Sequence, residues 1–123
     1  MGVKIPFPMI ADLDQKVARL YRMVHTPSAV TATVRCVFFI DPKRMLRAMI
    51  YYPLNVGRNF DELVRVVDAL QTVDHHGVAC PANWKPGDEV IIPAPTTSQG
   101  AQERLSNKDY QVTDWYFSKK KLS

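Results

Sequence analysis

Apolar and polar positions change rhythm along the chain, and each rhythm predicts an element. Phe7-Pro8-Met9-Ile10-Ala11 is a short apolar run closed by Asp12, which reads as a buried strand. Asp12 then stands as a helix N-cap, with Gln15 three residues on as the return half of a capping box. Val17, Leu20, Tyr21 and Val24 recur at i, i+3, i+4 and i+7, the stripe of an amphipathic helix, while Lys16, Arg19 and Arg22 face away. Pro27 cannot continue a helix, so this one is predicted to end near His25.

Residues 28–32 are small and read as a loop. Residues 30–40 are rich in β-branched and aromatic side chains and predict a strand. Asp41-Pro42-Lys43-Arg44 is a turn with proline at its preferred second position, and residues 45–52 return as a second strand, giving an antiparallel hairpin. A period of two puts Arg35 with Val37 and Phe39 on one face and Cys36 with Phe38 and Ile40 on the other. Pro53 ends the second strand. Asn55-Val56-Gly57-Arg58 is a loop, Asn59 caps a second helix, and Glu62 completes a capping box. Phe60, Leu63, Val64, Val67 and Leu70 form its buried stripe.

After Gln71 the pattern changes. Pro81, Pro86, Pro93 and Pro95 punctuate the chain around one short apolar strand, Val90-Ile91-Ile92. A weakly amphipathic stretch follows at 99–107, and then the aromatics Tyr110, Trp115, Tyr116 and Phe117. This segment has too few apolar residues to hold itself together and is expected to pack as an arm on the first domain or on a partner. The expected domains are therefore 1–72 and 73–123.

Composition narrows the classes. A chain of 123 residues is one domain or a piece of one, and 46% hydrophobic with 23% charged residues excludes a disordered chain. Much of the net charge of +4 comes from Lys119-Lys120-Lys121, which reads as a solvated end. Basic residues do not interleave with aromatics on one face, so nucleic acid is not an expected partner. No apolar run approaches the roughly 18 residues of a membrane span, and the N-terminal residues lack a signal-peptide pattern, so a cytoplasmic protein is expected. Cys36 and Cys80 make no disulfide framework and are expected to be reduced.

Arg35 is the sharpest chemical signal, because a charge inside an apolar strand needs a reason. Two readings stay open: a strand end whose guanidinium reaches water, or a fixed fork of donors aimed at an oxyanion or thiolate. Arg58 reads either as an exposed loop arginine or as a cation beside a helix N-terminus, where an anion would meet both fields. His75, His76 and Cys80 lack the further ligands of a tetrahedral zinc site, so no metal is expected. His25 reads as a helix-end cap. Cys80 is an inert loop thiol or a reactive, resolving one, and Cys36 reads as core. Neither stands at a helix N-terminus. No P-loop, dinucleotide glycine pattern or nucleophile elbow occurs, so no cofactor is expected.

The run Thr33-Val34-Arg35-Cys36-Val37-Phe38-Phe39-Ile40-Asp41-Pro42, then Tyr52-Pro53, then Gly57-Arg58-Asn59-Phe60-Asp61-Glu62, then Val78-Ala79-Cys80-Pro81-Ala82-Asn83-Trp84-Lys85-Pro86-Gly87-Asp88 resembles peroxiredoxins of the AhpC/TSA superfamily. Within them it is similar to the one-cysteine, peroxiredoxin-6-type subfamily. The resemblance covers essentially the whole chain, and Phe7-Pro8-Met9-Ile10-Ala11-Asp12 shares it. It implies an α/β fold: the C-terminal half of a thioredoxin-like domain (β-α-β-β-α) followed by a C-terminal peroxiredoxin dimer-arm domain. It also implies a thiol-dependent peroxidase acting on hydrogen peroxide and organic hydroperoxides in antioxidant defence, with a thiol reductant. Arg35 and Arg58 match the family's active-site arginines.

One departure matters. The family's peroxidatic cysteine lies in a Pro-x-x-x-Thr-x-x-Cys motif at a helix start, and that motif is not in this sequence. The resemblance therefore implies a truncated form that is inactive alone. An alternative is a catalytically inactive short product that serves as a dimerisation or interaction module, as a homodimer or paired with a full-length member. In either case the remaining strands would expose an edge and apolar faces, and the isolated chain is expected to be marginally stable.

Overall fold

The computed structural model describes residue 2, residues 4–24 and residues 33–122. It divides into two compact units, Met1–Arg58 and Asn59–Ser123. The element order is α1 (Lys16–Leu20), β1 (Arg35–Ile40), β2 (Leu46–Tyr52), α2 (Phe60–His76), β3 (Val90–Ile92), α3 (Ser98–Ser106), β4 (Gln111–Asp114) and β5 (Phe117–Lys120). The expected domain boundary at 72/73 falls inside α2, whereas the compact units meet at Arg58 and Asn59.

Unit 1 is built on the hairpin. β1 pairs antiparallel with β2, from Arg35 opposite Tyr52 to Ile40 opposite Leu46, with a register shift between Phe39 and Ile40. The turn forms where the proline predicted it. Arg44 N–H donates to the Asp41 carbonyl at 2.9 Å, and the Asp41 carboxylate accepts from Met45 N–H at 2.9 Å. Arg44 takes a left-handed φ of 65°, which lets a short loop reverse the chain. Phe38 packs edge-on to Tyr21, with ring centroids 5.0 Å apart, and to Tyr51 at 6.1 Å.

The start of unit 1 departs from expectation. Residues 7–11 form no strand, and Phe7 is 65% and Ile10 72% exposed. A strand needs a neighbour for its backbone groups, and among the described residues β1 and β2 pair only with each other. The first helix is also shorter than its periodicity predicts, running from Lys16 to Leu20 rather than to His25, which lies outside the described residues along with the 28–32 loop. Asp12 does cap it, but from further out: its carboxylate accepts from Val17 N–H at 2.9 Å and Ala18 N–H at 2.8 Å. Asp12 and Gln15 both take positive φ, so the N-cap position falls to Gln15, which makes no capping bond. The helical stripe finds little to pack against, with Leu20 78% exposed, and a short helix without an apolar partner is not propagated.

Unit 2 has a core of its own, which α2 and the segment after Gln71 build together. Val78, Trp84, Val90 and Ile92 are buried together, with Ala69, Cys80, Tyr110 and Leu122 packed against them. Ala69 belongs to α2, so the helix contributes to this core. β5 is the centre of a three-stranded antiparallel sheet, ordered β3-β5-β4, and Ala79 adds a bridge to Ile91. Pro81, Lys85 and Gly87 set the tight course that buries Trp84. The Trp84 Nε1–H donates to the Asp88 carbonyl at 3.3 Å, Lys85 N–H donates to the Asp88 carboxylate at 2.9 Å, and Gly87 takes φ 95°. Ser118 is buried and bonded to Arg104, which also donates to the Pro93 carbonyl at 3.0 Å and lies 5.0 Å over the Tyr110 ring.

Two further expectations change here. Lys119 and Lys120 belong to β5 rather than to a solvated end; their ammonium groups lie 5.5 Å over Phe117 and 5.8 Å over Tyr110. The stripe expected to be buried on α2 is largely exposed at Phe60 (72%), Val64 and Val67. Asn59 caps α2 as predicted, accepting from Glu62 N–H at 3.3 Å, and Gly77 closes it in the left-handed conformation. Glu62 does not close a capping box; its carboxylate is held by Arg65 through bonds of 2.6 and 2.8 Å. A bidentate pairing with a guanidinium outcompetes one bond to a backbone N–H.

Candidate functional site

Arg35 is the first residue of β1, where the hairpin is open. Its side chain does not simply reach water: Nη1 is buried and has no hydrogen-bond partner among the described residues. A permanent cation with an unmatched donor out of water costs stability, of order 1–3 kcal/mol for an unsatisfied group and more when it is charged. Nothing about strand formation demands arginine there. The antiparallel register sets Tyr52 opposite Arg35, so the loop of residues 53–58 leaves the sheet from the same end. Arg58 closes that loop. It is exposed and makes no hydrogen bond or ion pair among the described residues. The topology thus brings the loop that carries Arg58 to the Arg35 end of the hairpin.

The cysteines are placed differently. Cys36 is buried in β1, with Sγ 3.7 Å from the Val37 carbonyl. Its cross-strand partner is Tyr51, whose phenol pKa is raised, first by burial and then by the Cys36 thiol. Cys80 is half-buried, with Sγ 3.8 Å from the Ala69 carbonyl. It lines a cleft of about 440 Å³ with Arg65, Ala69, Val73 and Pro81. Burial pushes the Cys80 thiol above its usual range, and the charge of Arg65 opposes this only in part. A thiol held protonated at neutral pH is a poor nucleophile. The sequence pattern missed Arg65 as a charge acting on the Cys80 thiol, although its spacing of three from Glu62 signalled the ion pair.

The histidines stand at the last turn of α2. The two rings are 6.5 Å apart and tilted by 58°, and His75 Nδ1 lies 2.9 Å from the Gln71 carbonyl. Among the described residues no three His, Cys, Asp or Glu side chains gather in a group that could hold a metal ion, and no helix is long and apolar enough to cross a membrane.

Comparison with known proteins accounts for most of the chain. Residues 2–49 match the AhpC/TSA family, and residues 69–108 match the C-terminal domain of 1-Cys peroxiredoxin. A protein named peroxiredoxin 2 from Caldanaerobacter subterraneus subsp. tengcongensis is 50% identical over 122 residues, covering 98% of this chain and 55% of the relative. A peroxiredoxin from Aquifex aeolicus is 50% identical over 131 residues, covering 98% of this chain and 59% of the relative. The chain thus spans just over half the length of these curated relatives. Among solved structures, a cysteine-to-serine mutant of the peroxiredoxin 6 of Arenicola marina matches with a TM-score of 0.79 at 30% identity, covering 99% of this chain and 59% of that one. A yeast mitochondrial 1-Cys peroxiredoxin matches with a TM-score of 0.71 at 38% identity, over 88% of this chain and 53% of that one. These likenesses give the fold as α/β, the C-terminal half of a thioredoxin-like domain followed by the peroxiredoxin C-terminal arm. The chain is a member of the peroxiredoxin family, of its 1-Cys type.

Proposed function

We propose that the chain is the arginine-bearing half of a thiol-dependent peroxidase that reduces hydrogen peroxide and organic hydroperoxides. The observation that carries this reading is the buried, unpartnered Nη1 of Arg35, a donor kept at a cost to stability on a strand that matches the AhpC/TSA family. In the proposed reaction a cysteine thiolate attacks the terminal oxygen of the hydroperoxide. An S–O bond forms as the O–O bond breaks, the sulfur becomes a sulfenic acid, and the leaving alkoxide or hydroxide takes up a proton. Arg35 favours the thiolate by charge proximity and donates to the oxygens as negative charge moves to the leaving one. Lysine, a point charge without the planar fork, is a poor substitute. Arg58 supports the local field. Neither Cys36 nor Cys80 supplies the thiolate, since one is core and the other is held protonated.

A thiol reductant returns the sulfenic acid to thiol, forming a disulfide and water. The match to the C-terminal domain begins at residue 69, which supports a functional arm from about 73 onward that packs across a homodimer. A cytoplasmic site of action fits the reduced cysteines. The chain alone, given hydrogen peroxide and dithiothreitol, is expected to show no turnover beyond the background of its two free thiols. Catalytic turnover would overturn the assignment of the chemistry to a cysteine outside these residues. In a full-length protein carrying this chain, Arg35→Lys is expected to lower kcat/KM by roughly 10²–10³.

A second reading, an inactive module that pairs with a full-length peroxiredoxin, is favoured by the apolar side chains that unit 1 leaves exposed, among them Ile40, Leu46, Met49 and Tyr51. Native mass spectrometry of the same sample mixed with a full-length relative separates the two: a mixed dimer supports pairing, and its absence removes it.

A further inference from the structure

We draw no further inference here: the strongest candidate, the outer edge of β1, unpaired among the described residues, with the exposed apolar side chains of the hairpin beside it, carries nothing because nothing in the structure shows what covers it.

Discussion

Arg35 opposes the stability of the strand it begins. An aliphatic side chain of similar length removes the buried, unmatched donor while keeping the stem that packs. Arg35→Met is therefore expected to stabilise the chain by about 1 kcal/mol, read as a raised urea midpoint. An unchanged or lower midpoint would show that Nη1 costs the fold nothing. Cys80 makes the complementary case at the same scale. Its thiol pKa is raised above the ordinary value of 9.0 by burial, so the folded state holds the proton more tightly than the unfolded state does. The associated stability is fully present below the unfolded pKa and is lost as pH rises through the folded one. Alkylation of Cys80 by iodoacetamide is expected to be slower than that of the urea-unfolded chain at pH 8 and to rise steeply only in more alkaline solution. A native rate matching the unfolded one would contradict this. The sequence marked both residues as chemically notable. Their opposite characters, an unsatisfied cation and a suppressed nucleophile, depend on desolvation, which no residue pattern encodes.

Among the elements, those with local instructions were legible and those needing a distant partner were not. Pro42 and the β-branched residues on either side of it specify the hairpin within one short stretch, and β1 and β2 form where expected. Asn59 offers α2 an acceptor three residues before a free N–H, and Gly77 supplies a left-handed exit. Asn59→Ala is expected to cost about 1 kcal/mol of unit 2 stability, measured by circular dichroism in urea. A change of a few tenths or less would place α2's stability in packing alone. Glu62 shows where local reading stops, because the capping-box spacing was present but Arg65 took the carboxylate. Residues 7–11 and the far end of the first helix stop there too. Their apolar patterns are sound for a strand and a helix, and Tyr21 does pack on Phe38, yet Phe7, Ile10 and Leu20 remain in solvent.

The whole molecule divides by how its apolar surface is used. Unit 2 gathers Val78, Trp84, Val90 and Ile92 into one buried cluster, while the buried apolar residues of unit 1 are limited to Ala18, Cys36 and Phe39 among the described residues. Residues 59–123 expressed alone are therefore expected to unfold cooperatively on heating, followed by the fluorescence of Trp84 in a Trp115→Phe background. A gradual, non-cooperative loss of signal would show that this core is too small to stand by itself. The sequence by itself determined the family, the hairpin, the cap of α2 and the β3 strand. These rest on contiguous motifs and short-range hydrogen bonding, which a linear pattern records. Only the tertiary structure decided that α2 joins the C-terminal core, that Lys119 and Lys120 lie in a strand over aromatic rings, and that Arg35 keeps one nitrogen out of water with no acceptor among the described residues. Each of these is a matter of burial, and burial depends on which distant segments come together.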